Sequence, residues 1–145
     1  MERLGTAFTD TSRLHHRYHH LIFASFNLYS GQNRLFDKLK ESEVISQTEL
    51  AHRMNIAPAT LTRMVQNMEK NGYVSRENDK KDQRVTLIHL TAKGIETRTM
   101  IGEKLRAMDQ KIFKNFTIQE QKMLHNMLLR IQNQLLEEIN IENNI

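Results

Sequence analysis

The chain has a single proline, Pro58, and the residues that follow it have helical periodicity. Proline lacks the N–H that an interior helical turn requires, but at the first helical position that N–H would have no partner anyway. The stretch "IAPATLTRMVQNMEKNGYV", Ile56 to Val74, therefore reads as a helix that begins at Pro58. Asn71-Gly72 supplies a left-handed stop at its end. Leu61, Met64, Val65 and Met68 share one stripe, while Ala59, Thr62, Arg63, Gln66 and Lys70 lie on or near the opposite face. A face that only meets water more often carries Glu and Lys. Here it carries short or forked hydrogen-bonding side chains.

The segment before it, "ISQTEL", is a complete helix start. Ser46 caps, Glu49 closes a capping box three residues on, and Ile45 with Leu50 forms a hydrophobic staple. That helix runs to about Met54, leaving "NIA" as the turn. Upstream, Leu14, Tyr18, Leu21, Ile22, Phe26 and Tyr29 have helical spacing up to Gly31, and Leu35, Phe36 and Leu39 suggest a short second helix.

Downstream, Val74–Glu77 and Arg84–Leu90 read as two strands joined by the charged tip "NDKKDQ". Thr91 caps a long helix to about Phe113. Thr117 and Glu120 form a second capping box, opening a last helix with Met123, Leu124, Met127, Leu128, Ile131 and Leu135 on one face. The order is helix, short helix, helix–turn–helix, β-hairpin, helix, helix. The fold class is mainly α with a small β-wing: a winged helix-turn-helix in one domain of 145 residues.

Formal charge is +4 with a pI of about 9.5, and the excess of Lys and Arg falls mainly between residues 46 and 98. An anionic partner fits that distribution. With no cysteine there is no disulfide framework, thiolate metal site or thiol redox sensor. No apolar run approaches the roughly twenty residues of a membrane span. The chain reads as a soluble, cytoplasmic protein that needs no cofactor. It has no glycine-rich phosphate loop and no nucleophile grouping, so no enzymatic activity is expected.

A winged helix-turn-helix suits duplex DNA. The second helix fits the major groove, where Arg pairs with guanine and Gln or Asn with adenine. Ala59, Thr60, Thr62, Arg63, Gln66 and Asn67 are the candidate contacts on that helix. Arg76, Lys80, Lys81, Asp82 and Arg84 are the candidates on the wing, with the basic tip meeting phosphates or the minor groove.

Residues 31–94 resemble the DNA-binding core of the MarR family of bacterial transcriptional regulators. The resemblance rests on "SQTELA", "PATLTRMV..MEKNGYV", Asp82-Gln83-Arg84 and "LTAKG". It implies a homodimer whose first and last helices intertwine, acting as a repressor. Residues 31–98 would form the DNA-binding lobe, with 1–30 and 99–145 as the dimerisation region. It also implies that Arg84 enters the minor groove and that Asp82 holds a nearby basic side chain, with Arg63 and Arg76 as candidates. Leu4, Phe8, the helix from Leu14 to Tyr29 and the final helix carry more apolar surface than one small domain covers, as a two-fold partner would require.

The resemblance further implies release by a small effector, in a pocket between the first helix and the DNA-binding lobe. Phe23, Phe26 and Tyr29 would line it, although the same residues are better explained as core. "HHRYHH" is the one metal candidate: His15/His19 and His16/His20 are both i,i+4 pairs. Their completing ligands would have to come from Glu2, Asp10, His125 or a second protomer. A solvent-facing dimer helix explains the four histidines more simply than a zinc or nickel sensor. His52 is a candidate phosphate contact, and His89 is expected to point outward from the wing strand. A winged-helix module that binds protein instead of DNA is the remaining alternative, but it would have no need of Arg63, Gln66 and Arg84.

Overall fold

The computed structural model describes residues 3–29 and 31–143. Contacts within the chain group it into two compact units, Met1–Leu105 and Arg106–Ile145. In chain order the elements are α1 (Leu4–Ala24), α2 (Gln32–Lys38), β1 (Ile45–Ser46), α3 (Gln47–Met54), α4 (Pro58–Lys70), β2 (Val74–Asn78), β3 (Thr86–Leu90), α5 (Ala92–Phe113) and α6 (Ile118–Asn143).

Three helices of the first unit end in the same way, with a left-handed residue and a backbone bond reaching back five positions. Asn27 (φ 55°), Asn55 (φ 51°) and Gly72 (φ 77°) take that conformation. The bonds run from Leu28 N–H to the Phe23 carbonyl, from Ile56 to Ala51, and from Tyr73 to Met68. Each is a Schellman-type stop with an apolar residue just beyond it. The first of these corrects the expected end of α1. The helix stops before Asn27 rather than at Gly31, and it starts at Leu4, ten residues before Leu14. Its early turns are exposed apart from half-buried Asp10, and Leu4 and Phe8 are too few large apolar residues to show a helical periodicity on their own.

The caps largely match expectation. Pro58 is at the start of α4, behind an extended Ala57. Ser46 Oγ accepts from Glu49 N–H at 3.2 Å. The reciprocal half of that capping box is replaced, because the Glu49 carboxylate turns to Arg53 at 3.5 Å. Ile45 and Leu50, the staple pair, are both buried. At α6 the box is complete: Glu120 accepts from Thr117 N–H and donates its own N–H to Thr117 Oγ1.

The sheet is three-stranded and antiparallel in the order β1-β3-β2. Ile45 stands opposite Ile88, and Val74 opposite Leu90. β1 is an addition to the expected hairpin, since two residues are too short to show an alternation. β3 also starts two residues later than expected. Arg84 and Val85 belong to the tip, where Val85 N–H donates to Asp82 and Asp79 N–H to Val85. The core lies between α2, α3, α4 and the sheet, where Leu35, Leu50, Leu61, Val65, Met68 and Ile88 are fully buried. Among the described residues, no helix is long and apolar enough to cross a membrane.

Candidate nucleic-acid interface

Because Leu61, Val65 and Met68 face the core, α4 must turn its other side outward. Ala59, Thr60, Arg63, Gln66 and Lys70 are exposed there, whereas Thr62 and Asn67 are half-buried at the two margins of that face. The margins are tied to neighbouring elements. Thr62 Oγ1 donates to the Pro58 carbonyl at 2.9 Å and accepts from Gln47 Nε2 of α3 at 2.8 Å. Asn67 Oδ1 accepts from Gln32 Nε2 of α2 at 2.8 Å and from Asn71 Nδ2 at 3.3 Å. Glu69 holds Arg76 of β2 through Nε at 2.8 Å and Nη2 at 2.6 Å.

The candidate contacts thus divide by environment. Among the described residues, Thr60, Arg63 and Gln66 stand free on the exposed face of α4. Thr62, Asn67 and Arg76 are engaged within the protein and fix how that face is presented. With its oxygen already accepting twice, Asn67 has only N–H groups to offer and lacks the paired donor and acceptor that adenine recognition uses. Gln32, buried at 4% exposure, and Gln47 carry no such signal in the sequence. Their partners lie 35 and 15 residues away, beyond any local pattern.

At the wing tip Lys80, Lys81 and Arg84 are exposed, Arg84 at 91% of its side chain. The side chain that Asp82 holds is Arg84, not Arg63 or Arg76. Asp82 Oδ1 accepts from Arg84 N–H at 3.0 Å and Nε at 3.1 Å. The two-residue spacing lets one carboxylate bind both groups, and Arg76 is already committed to Glu69. The Arg84 side-chain bonds, followed by its backbone N–H, hold the Asp82 carboxyl below its usual pKa. The clamp therefore stays ionised at neutral pH and is lost only as pH falls through that depressed value.

The α1 histidines are accounted for differently. His15 and His19 rings lie 4.4 Å apart, and His16, His19 and His20 line a depression of about 80 Å³ with Phe23 and Asn33. Among the described residues no group of three His, Cys, Asp or Glu is placed to hold a metal ion. Glu2 lies outside the described residues. His52 is exposed. His89 does not simply point outward: it is half-buried, and its Nδ1 is enclosed without a hydrogen-bond partner among the described residues. Phe23 is buried, Phe26 is half-buried beneath Lys104 Nζ at 4.9 Å from its ring, and Tyr29 is exposed. The first two are core and its margin.

Two helices joined by a three-residue turn, an outward polar face on the second, and a hairpin with a basic tip define a winged helix-turn-helix protein. Residues 28–86 match the model of the MarR family. YdgJ, a helix-turn-helix-type transcriptional regulator of Bacillus subtilis (strain 168), is 30% identical over 101 residues, 70% of this chain and 62% of YdgJ. The chain thus spans less than two thirds of that relative. YetL, a helix-turn-helix-type transcriptional repressor of the same organism, is 28% identical over 88% of this chain and 77% of its own. The structure of a point mutant of S. aureus MepR bound to an oligodeoxyribonucleotide superposes with a TM-score of 0.73 at 17% identity, covering 93% of this chain and 99% of that one. Residues 28–86 thus carry a MarR-family domain, and the proteins this chain is similar to are transcriptional regulators of that kind.

Proposed function

We propose that the protein is a sequence-specific double-stranded DNA-binding transcriptional regulator, a repressor that acts as a homodimer on a pseudo-palindromic operator and is released by a small effector. The observation that carries this reading is the exposed face of α4. It presents Arg63 and Gln66 between margins tied to α2, α3 and β2, in the same unit as a wing bearing Lys80, Lys81 and Arg84. The MarR-domain match over residues 28–86 supports it, as does the likeness to YetL and to DNA-bound MepR. In this reading residues 31–98 are the DNA-binding lobe, and 1–30 with 99–145 form the dimerisation region. The large apolar side chains that the flanking helices leave exposed support a second copy as partner. Leu4, Leu14 and Leu21 of α1 are 85%, 66% and 61% exposed, and Met123, Leu136 and Ile139 of α6 are 59%, 59% and 53% exposed.

Two substitutions test the division of labour. Arg84→Ala is expected to weaken binding to every duplex and to flatten the dependence of affinity on salt by about one unit of log–log slope, because one phosphate-side contact is lost. Unchanged affinity across salt would remove the wing from the interface. Gln66→Ala is expected to keep the slope and to relax preference at one base pair, at a cost of about 1–3 kcal/mol there. Titrations on a set of single-base-pair operator variants distinguish the two behaviours.

A further inference from the structure

Gln47 is the first residue of α3, yet its side chain does not serve its own helix, whose cap is Ser46. It reaches across to α4 instead, where Nε2 donates to Thr62 Oγ1. That contact has a chemical consequence for both residues. A threonine hydroxyl has one proton, and in Thr62 it goes to the Pro58 carbonyl while a lone pair takes Gln47. Thr62 therefore has no donor left for a base. Gln47 is half-exposed and keeps one N–H and Oε1 without a partner among the described residues. One free donor beside one free acceptor on a planar amide is the complement of the adenine N7 and N6 edge in the major groove.

We infer that Gln47 is a specificity-determining residue of the DNA interface, which reads an adenine from α3 with Thr62 as its brace. This rests on the DNA-binding reading above and extends the reading surface beyond α4. The brace matters because a glutamine held by a neighbour gives up less side-chain freedom on binding than one that swings freely. Gln66 stands on the exposed face of α4, so two glutamines on two helices would read two separate positions.

The test uses the full-length protein and fluorescence anisotropy on every single-base-pair variant of a duplex that it binds with preference. Gln47→Ala is expected to flatten discrimination at one A·T pair by about tenfold, at a position different from the one Gln66→Ala flattens. Thr62→Val, which keeps the shape but removes the hydroxyl, should relax that same pair and no other. Gln47→Glu removes both amide N–H groups, the one on Thr62 included, and keeps the reach, so the adenine preference at that pair should be lost and move towards cytosine, whose N4 amino group donates to a carboxylate. Matched thermal unfolding curves establish that each variant is folded, and Gln47→Glu carries the test if Gln47→Ala is not. Uniform weakening across the panel would overturn the inference, because a purely structural contact or a phosphate contact has no base preference. An unchanged profile would overturn it as well. A wild-type protein with no preference on any duplex would instead reject the DNA-binding reading on which the inference stands.

Discussion

A Gly94→Ala variant is expected to be less stable than the parent protein by about 1–3 kcal/mol, the usual cost of forcing extra volume into a packed site. Helix propensity alone gives the opposite sign, since alanine is favoured over glycine by about 1 kcal/mol within a helix. Close packing reverses it. Gly94 lies in the first turn of α5, where its N–H donates to Thr91 Oγ1 at 3.0 Å and Thr91 N–H donates to the Tyr73 carbonyl at 3.1 Å. A β-carbon on Gly94 would overlap the Tyr73 carbonyl oxygen and stand 2.9 Å from its carbon and 3.3 Å from its Cα. These are backbone atoms, and the Tyr73 side chain is pinned as well, its hydroxyl donating to the Phe26 carbonyl at 2.7 Å. Relief requires moving the start of α5 or the start of β2, and β2 is one strand of the wing. Gly5→Ala is the control, because nothing lies within 4 Å of the added carbon. Thermal unfolding should show a lower midpoint for Gly94→Ala and no lowering for Gly5→Ala. A Gly94→Ala protein as stable as the parent would mean that α5 does not seat this closely on Tyr73.

Leu135→Glu is expected to have the largest effect on DNA affinity while leaving the winged helix-turn-helix unit folded. Leu135 lies in α6 of the second unit and is 47% exposed within the chain, so a charge there costs the single chain little. In a homodimer built on the apolar faces of the flanking helices, the same charge is buried without a partner. The variant should sediment as a monomer at micromolar concentration. Losing simultaneous engagement of two half-sites should lower operator affinity on the order of 10²–10⁴-fold. A Leu135→Glu protein that stayed dimeric with full affinity would place the partner surface elsewhere.

Short-range chemistry makes most of this fold legible in the sequence. The Pro58 start, the Ser46 cap, the Gly72 stop and the Thr117–Glu120 box each depend on residues within five positions of one another. Asn27 acts as a helix stop where Gly31 is the more obvious choice, because asparagine also tolerates the left-handed conformation but marks it less plainly. β1 needs its partner strand to exist at all. The candidate interface is legible as a set but not by role. Arg63 and Gln66 share the exposed face of α4 in the sequence and in the structure. By contrast, the internal engagement of Thr62, Asn67 and Arg76 depends on Gln47, Gln32 and Glu69. Gln32 and Gln47 come into range only after α2 and α3 have packed against α4. The Asp82–Arg84 pair is local, but choosing it requires knowing that Arg76 is already taken.

The most direct test of the DNA-binding reading is fluorescence anisotropy of the purified protein on the duplex upstream of its own gene, against a scrambled duplex, at two salt concentrations. A sequence-specific regulator binds the native duplex more tightly and keeps that preference at the higher salt, because base contacts survive when phosphate contacts are screened. Equal binding to both duplexes that disappears with salt, or no binding to either, would contradict it.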